Sequence, residues 1–176
     1  MKSISDKQIE ILKKILTPKV LSDLSSDERD TMQQLISVDT PAGQFQLFVD
    51  GAANLQEKTA GIGGHIQRNG EELYRFAEFL PDSTNNEAEY SAMIRGLKAA
   101  LDLNLSEIEV FADSELVVRQ INGQYKVKHE NMIPLHRKAK QLLGKFQSWS
   151  VTHIPREKNK LADQLSKEGL KEGRTS

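Results

Sequence analysis

Apolar and polar residues follow two different rhythms along the 176-residue chain, and the change falls at Gln44. Before it, apolar positions recur every three or four residues: Ile9, Leu12 and Leu16, then Met32, Leu35 and Ile36. That is the spacing of amphipathic helices. Ser5 with Gln8 and Ser25 with Glu28 read as capping boxes, and Thr17-Pro18 sets a cap residue before a proline suited to a first helical turn. Three short helices are predicted, closed by the loop Asp39-Thr40-Pro41-Ala42-Gly43. Beyond Gln44, QFQLFVDG alternates Phe45, Leu47 and Val49 on one side, as a strand does. Thr59–Asn69 and Glu71–Leu80 read as two more strands around Asn69-Gly70, a strong hairpin signal. A helix is predicted over Asn86–Leu103, with Tyr90, Met93, Ile94, Leu97 and Leu101 as its buried stripe. EIEVFAD reads as a strand, SELVVRQI as a helix ending near Gly123, and ENMIPLHRKAKQLLGKF as mostly helix with Pro134 in its first turn. WSVTHI is a last strand and Lys158–Leu170 a last helix. The order βββαβααβα predicts an α/β domain, a five-stranded mixed sheet flanked by helices. The expected division is a helical extension over 1–43, the α/β domain over 44–170 and a tail over 171–176.

Composition narrows the class. Hydrophobic residues at 38% and charged residues at 28% describe a globular chain rather than a disordered one. The absence of cysteine excludes disulfides, thiolate metal sites and a cysteine nucleophile. No apolar run approaches the roughly 18 residues of a membrane span, and the N-terminus lacks a signal-peptide stretch, so a cytoplasmic protein with no membrane partner is expected. The 24 Lys plus Arg nearly balance the 25 Asp plus Glu, but not evenly along the chain. Residues 44–113 carry 5 basic and 12 acidic side chains, whereas residues 114–176 carry 13 and 6. A solvated face accounts for such runs in most proteins. An acidic half beside a basic half also suits a metal site next to a phosphate-binding surface.

Acids stand at the ends of predicted strands and the starts of helices. Asp50 and Asp113 follow apolar strands, Glu87 and Glu89 open the long helix, and Asp163 lies early in the last one. Carboxylates at the margin of a core cost free energy unless compensated, and a divalent cation with oxygen ligands compensates several at once. Each has a plainer local reading. Asp50-Gly51 fits a hairpin turn, Asp113-Ser114 a helix cap, and Asp163 a first-turn acid favoured by the helix dipole. Helical spacing puts Glu87 and Glu89 on opposite flanks of the apolar stripe and does not choose between them.

Taken in order and spacing, FVDGAA, STNNEAEYSAMIRGLKAAL, VFADSELVVRQI and HIPREKNKLADQLS resemble the four motifs of ribonuclease H type 1, in its bacterial and archaeal reverse-transcriptase-like branch. The resemblance covers about residues 44–170. It implies a ribonuclease H-like fold and a metal-dependent endonuclease that hydrolyses the RNA strand of RNA–DNA hybrids. The expected products are 5′-phosphate and 3′-hydroxyl ends. It also implies catalytic and metal-binding roles for Asp50, Glu89, Asp113 and Asp163, which would hold two Mg²⁺ or Mn²⁺ ions. Counting along the motif selects Glu89 and leaves Glu87 as a solvent-facing neighbour. Thr84, Asn85 and Asn86 match positions that contact the substrate backbone, and they also suit a helix cap. The alternative reading is a module of the same fold that binds nucleic acid with weak or no activity.

Three stretches depart from the family pattern. Asn54-Leu55-Gln56-Glu57-Lys58 replaces the usual Gly-Asn-Pro-Gly. Gly123–Asn131 is short and lacks a long basic, Trp-rich protrusion. His153 has the spacing of the family's loop histidine but alternates with Trp149 and Val151 like a structural strand residue, which makes Arg156 a competing candidate. His65, His129 and His136 show no metal-ligand spacing. Residues 1–43 are near neutral and contain no Phe, Tyr or Trp. They offer little to a polyanion, and their apolar stripes point to packing or a protein partner. A monomer acting on hybrid nucleic acid is expected.

Overall fold

The computed structural model describes residues 6–15, 20, 23–37 and 44–173. The chain divides into two compact units, residues 1–43 and 44–176. In the first, α1 spans Asp6–Ile15 and α2 spans Ser26–Ser37. The second capping box forms as its spacing predicts. The Ser25 N–H donates to Glu28 Oε2 at 2.8 Å, and the Glu28 N–H donates back to Ser25 Oγ at 3.3 Å. Ser5, the Thr17-Pro18 helix start and the loop Asp39–Gly43 lie outside the described residues.

The second unit follows the predicted order. Its strands are β1 (Phe45–Asn54), β2 (Thr59–Arg68), β3 (Glu71–Leu80), β4 (Glu107–Ala112) and β5 (Ser148–His153). Its helices are α3 (Asn85–Asp102), α4 (Glu115–Ile121), α5 (Met132–Leu143) and α6 (Lys160–Glu172). The sheet order is β3-β2-β1-β4-β5. The β1–β2 and β2–β3 pairs are antiparallel, and β1–β4 and β4–β5 parallel. Asn69-Gly70 makes the predicted tight turn, with both residues at positive φ.

Two expectations shift. Asp50-Gly51 is not a turn: β1 runs on to Asn54, and the turn comes at residues 55–58. Asn54 holds that turn, its side-chain oxygen accepting the N–H groups of Gln56 at 3.1 Å and Glu57 at 3.3 Å. The last helix begins at Lys160 because Arg156–Lys158 form a separate 3₁₀ turn after Pro155.

Successive strand residues point to opposite faces, and each face of β1 meets a different helix. Leu47 lies against Gly96 of α3, whereas Asp50 on the other face meets Ser166 of α6. The core on the α3 side is apolar and closed: Leu47, Val49, Tyr90, Met93, Leu97, Val110, Val117 and Leu143 have no exposed surface. The Tyr90 hydroxyl, buried among them, donates to Gln120 Oε1 at 2.7 Å, which satisfies both polar groups.

Gly51 decides how closely α3 approaches β1. A Cβ there would sit 2.5 Å from the backbone carbon of Ala88 and the backbone nitrogen of Glu89. Gly51→Ala must therefore push the helix off the sheet. Loss of roughly 1–3 kcal/mol is expected in urea unfolding, and an unchanged midpoint would show that the helix can yield without cost.

Candidate active site where β4 ends beside β1

Parallel pairing carries the site. Val49 pairs with Ala112, so the next residues, Asp50 and Asp113, stand side by side where β4 ends, midway along β1. Glu89 comes from the first turns of α3, brought in by the close approach over Gly51. One carboxylate oxygen from each of Asp50, Glu89 and Asp113 lies within 4.8 Å of the others, the one such acidic group among the described residues.

Burial makes this arrangement costly. Asp50 and Glu89 are each 4% exposed, and Asp113 is half-buried. Burial, with the negative charges of Asp113 and Asp163 adding to it, raises the Asp50 carboxyl to about 6, against a bond from Ser166 that favours the anion. Glu89 rises to about 9, again from burial first and then from the charges of Asp50 and Asp113, with the Gly51 N–H opposing. Glu89 Oε2 is buried with no hydrogen-bond partner. Three clustered carboxylates, one of them with an orphaned oxygen, are a donor set that fits a hard, oxygen-liganded divalent cation.

Asp163 stands apart from that trio. It occupies the first turn of α6, and both its oxygens are taken by cations. Arg156 Nη2 reaches Oδ1 at 2.7 Å and Lys167 Nζ reaches Oδ2 at 2.6 Å. Burial raises this carboxyl, but bonds from Lys167 and Arg156 outweigh it and hold the group below the usual aspartate range. Arg156, the candidate that competes with His153, is paired with Asp163 here.

Thr84 caps α3, its hydroxyl accepting the Glu87 N–H at 3.3 Å. Glu87 returns the bond, accepting the Thr84 N–H at 2.8 Å. The expectation of a solvent-facing Glu87 is therefore corrected: it is half-buried and completes a capping box. Asn85 is exposed and Asn86 half-buried at the same helix start. Ser114 caps α4 by accepting the Val117 N–H at 3.3 Å, so Ser114 supplies the cap and Asp113 is left to the cluster.

His153 ends β5 opposite Ala112 and breaks the burial alternation, being exposed where Val151 is buried. Its Nε2 lies 3.2 Å from the backbone oxygen of Asp113, which sets the ring beside the acidic edge. His129 and His136 bond locally, to the Asn131 N–H and near the Gln120 carbonyl. His65 stacks on Phe48 at 4.9 Å.

The contacts of three further residues escaped sequence reasoning. Asn159, 1% exposed, donates to the Val49 carbonyl at 2.9 Å and lies 3.5 Å from Asp113 Oδ2. Ser166, fully buried, bonds Asp50. Lys167 pairs with Asp163. The signal for Ser166 was a polar residue on the apolar side of the last helix, whereas Asn159 stands just before that helix.

A fold and an acidic edge of this kind define a ribonuclease H-like protein, and comparisons with known proteins agree. The family described as Reverse transcriptase-like matches residues 48–169. Ribonuclease HI of Halobacterium salinarum is 33% identical over 129 residues, covering 73% of this chain and 65% of that protein. The chain thus spans somewhat less than two thirds of that curated relative. The crystal structure of RNase H1 from the same archaeon superposes with a TM-score of 0.71 at 33% identity, covering 74% of this chain and 99% of that one. LC11-RNase H1, solved in complex with an RNA/DNA hybrid, gives 0.69 at 34% identity, with 74% and 99% covered. The chain belongs to the ribonuclease H type 1 family. Residues 1–43 lie outside the matched region.

The cluster has a consequence for pH. An acid whose carboxyl is raised on folding contributes most below its ordinary value, near 4.5 for Glu89, and progressively less as pH climbs toward about 9. Glu89→Gln stays neutral throughout. In chelator it should melt above the parent at pH 8, and the two should converge near pH 4.5. Calorimetry across that range checks it, and parallel curves would show that Glu89 is not buried as a charge.

Proposed function

We propose that this protein is a metal-dependent endonuclease that hydrolyses the RNA strand of RNA–DNA hybrids, leaving 5′-phosphate and 3′-hydroxyl ends. The observation that carries the reading is the trio Asp50, Glu89 and Asp113, two of them buried, with its orphaned Glu89 oxygen, in a chain of the family whose member LC11-RNase H1 was solved with a hybrid bound.

Asp50, Glu89 and Asp113 would hold one Mg²⁺ or Mn²⁺, and Asp50 with Asp163 a second, once Asp163 leaves Lys167 and Arg156. Bound divalent cations supply an activated water and stabilise the leaving oxygen. The chain's own residues do the positioning. β1 and β4 fix two acids by register, α3 supplies the third, and Asn159 holds the Asp113 side toward β1. Thr84, Asn85 and Asn86, at the start of α3, are proposed to meet the substrate backbone. The Asn85 and Asn86 carboxamides suit ribose hydroxyls in the shallow minor groove of a hybrid. Residues 1–43 are proposed to be dispensable for turnover.

The basic second half is proposed to receive phosphates of the DNA strand. Gly123, Tyr125, Lys126, Arg137 and Lys140 line a groove with no acidic residue along it. Lys126 and Arg137 are the cations best suited to this, with Lys128 and Lys138 beside them in sequence. Lys140 is partly committed, its Nζ bonding the Ile121 carbonyl at 3.2 Å and lying 4.8 Å from the Trp149 ring centre.

Two experiments follow. A gel assay on a hybrid, double-stranded RNA and double-stranded DNA, with and without Mg²⁺ or Mn²⁺, should show metal-dependent cutting of the hybrid's RNA alone. Asp113→Asn keeps the size and removes one charge, and should cut at least about 100-fold more slowly without unfolding. Undiminished cutting by that variant sinks the assignment, and hybrid binding without cutting by the parent favours a binding module. Separately, log affinity for the hybrid against log salt should fall by about 0.9 per phosphate contacted. Neutralising Lys126, Lys128, Arg137 and Lys138 together should flatten that slope, and an unchanged slope makes them a solvated face.

A further inference from the structure

The last helix comes close enough to the sheet for one of its side chains to touch the carboxylate trio. Gly61 and Gly63 of β2 form a trough under α6: a Cβ on Gly63 would collide with the backbone nitrogen of Ser166, and one on Gly61 with its carbonyl oxygen. Gly169 packs in the same way against the backbone of Glu78. Seated there, Ser166 is fully buried and its Oγ bonds Asp50 Oδ2. The same hydroxyl lies 2.8 Å from the Asp163 carbonyl, one turn back in its own helix.

A serine inside a helix usually satisfies itself on such a carbonyl, and alanine would fill this position with better helix propensity. A hydroxyl has one proton, and a bond to a carboxylate is stronger than one to a neutral carbonyl. We propose that Ser166 is a positioning residue of the metal centre, fixing the rotation of the Asp50 carboxylate and joining β1 to the helix that carries Asp163. The inference rests on reading the trio as a cation site. With Oδ2 held, Asp50 presents one orientation to a cation instead of sampling several, and the glycine trough exists to bring the donor within reach. Ser166 itself touches neither substrate nor cation in this role.

The test compares the full-length parent with Ser166→Ala, without nucleic acid, by Mn²⁺ titration and by melting in chelator. On the proposal, Ser166→Ala melts with the parent or slightly above it, yet binds Mn²⁺ about 10-fold more weakly or worse, as loss of a bond supporting a ligand does. With a hybrid at saturating metal, its kcat should fall while KM holds. Mn²⁺ affinity equal to the parent's overturns the proposal. So does a variant that melts well below the parent in chelator, since the hydroxyl would then be serving the fold. A parent that binds no Mn²⁺ at all refutes the cation-site reading instead, which keeps the two failures apart.

Discussion

Three carboxylates held within 4.8 Å of one another at the edge of a core are the constraint around which this domain is arranged. At an effective dielectric of about 20, each ionised pair at that separation repels by roughly 3–4 kcal/mol, and burial adds to the cost. The fold accepts the cost by distributing the acids over elements that are rigid for other reasons. Asp50 and Asp113 cannot separate without breaking the register of two parallel strands, and Glu89 sits on a helix pinned by fully buried Tyr90, Met93 and Leu97. Protonation relieves the cost without a cation, and Asp50 and Glu89 are both pushed upward, by burial first and by the neighbouring charges after it.

The fourth acid shows the opposite solution. Asp163 is paired with cations: Lys167, one helical turn away, and Arg156, in the 3₁₀ turn, together satisfy both its oxygens. The two states of charge meet at Asp50: a trio short of positive charge beside an acid supplied with it. Asn159 and Ser166 join these halves, the first tying the start of α6 to Val49 and the Asp113 side, the second tying its middle to Asp50. Both are buried polar side chains with long-range partners, the kind of group whose removal is felt at a distance.

Close approach is the other theme. Gly51 admits α3 from one face of the sheet and Gly61 with Gly63 admit α6 from the other. Without these, two helices would stand off by the width of a side chain. The acids on them would then no longer converge with those of the strands. The glycines therefore act on the site through helix position, although none offers a ligand atom.

Local pattern announced the elements well. The alternation of Phe45, Leu47 and Val49, the Asn69-Gly70 turn and the 3.6-residue stripe of α3 each follow from forces between near neighbours, and all three formed where expected. The motif order also marked out Asp50, Glu89 and Asp113, which the structure brings together. Periodicity could not choose Glu89 over Glu87, because both flank the same stripe; tertiary packing over Gly51 buries one and leaves the other to cap. Nor did the chain alone reveal that β1 runs through Asp50-Gly51, since only the partner strand β2 keeps it extended. The pairing of Asp163 with Arg156, and the roles of Asn159 and Ser166, depend on partners 7 to 116 positions away. Contacts of that span come from the packing of a helix on a sheet, and no local rhythm of residues encodes them.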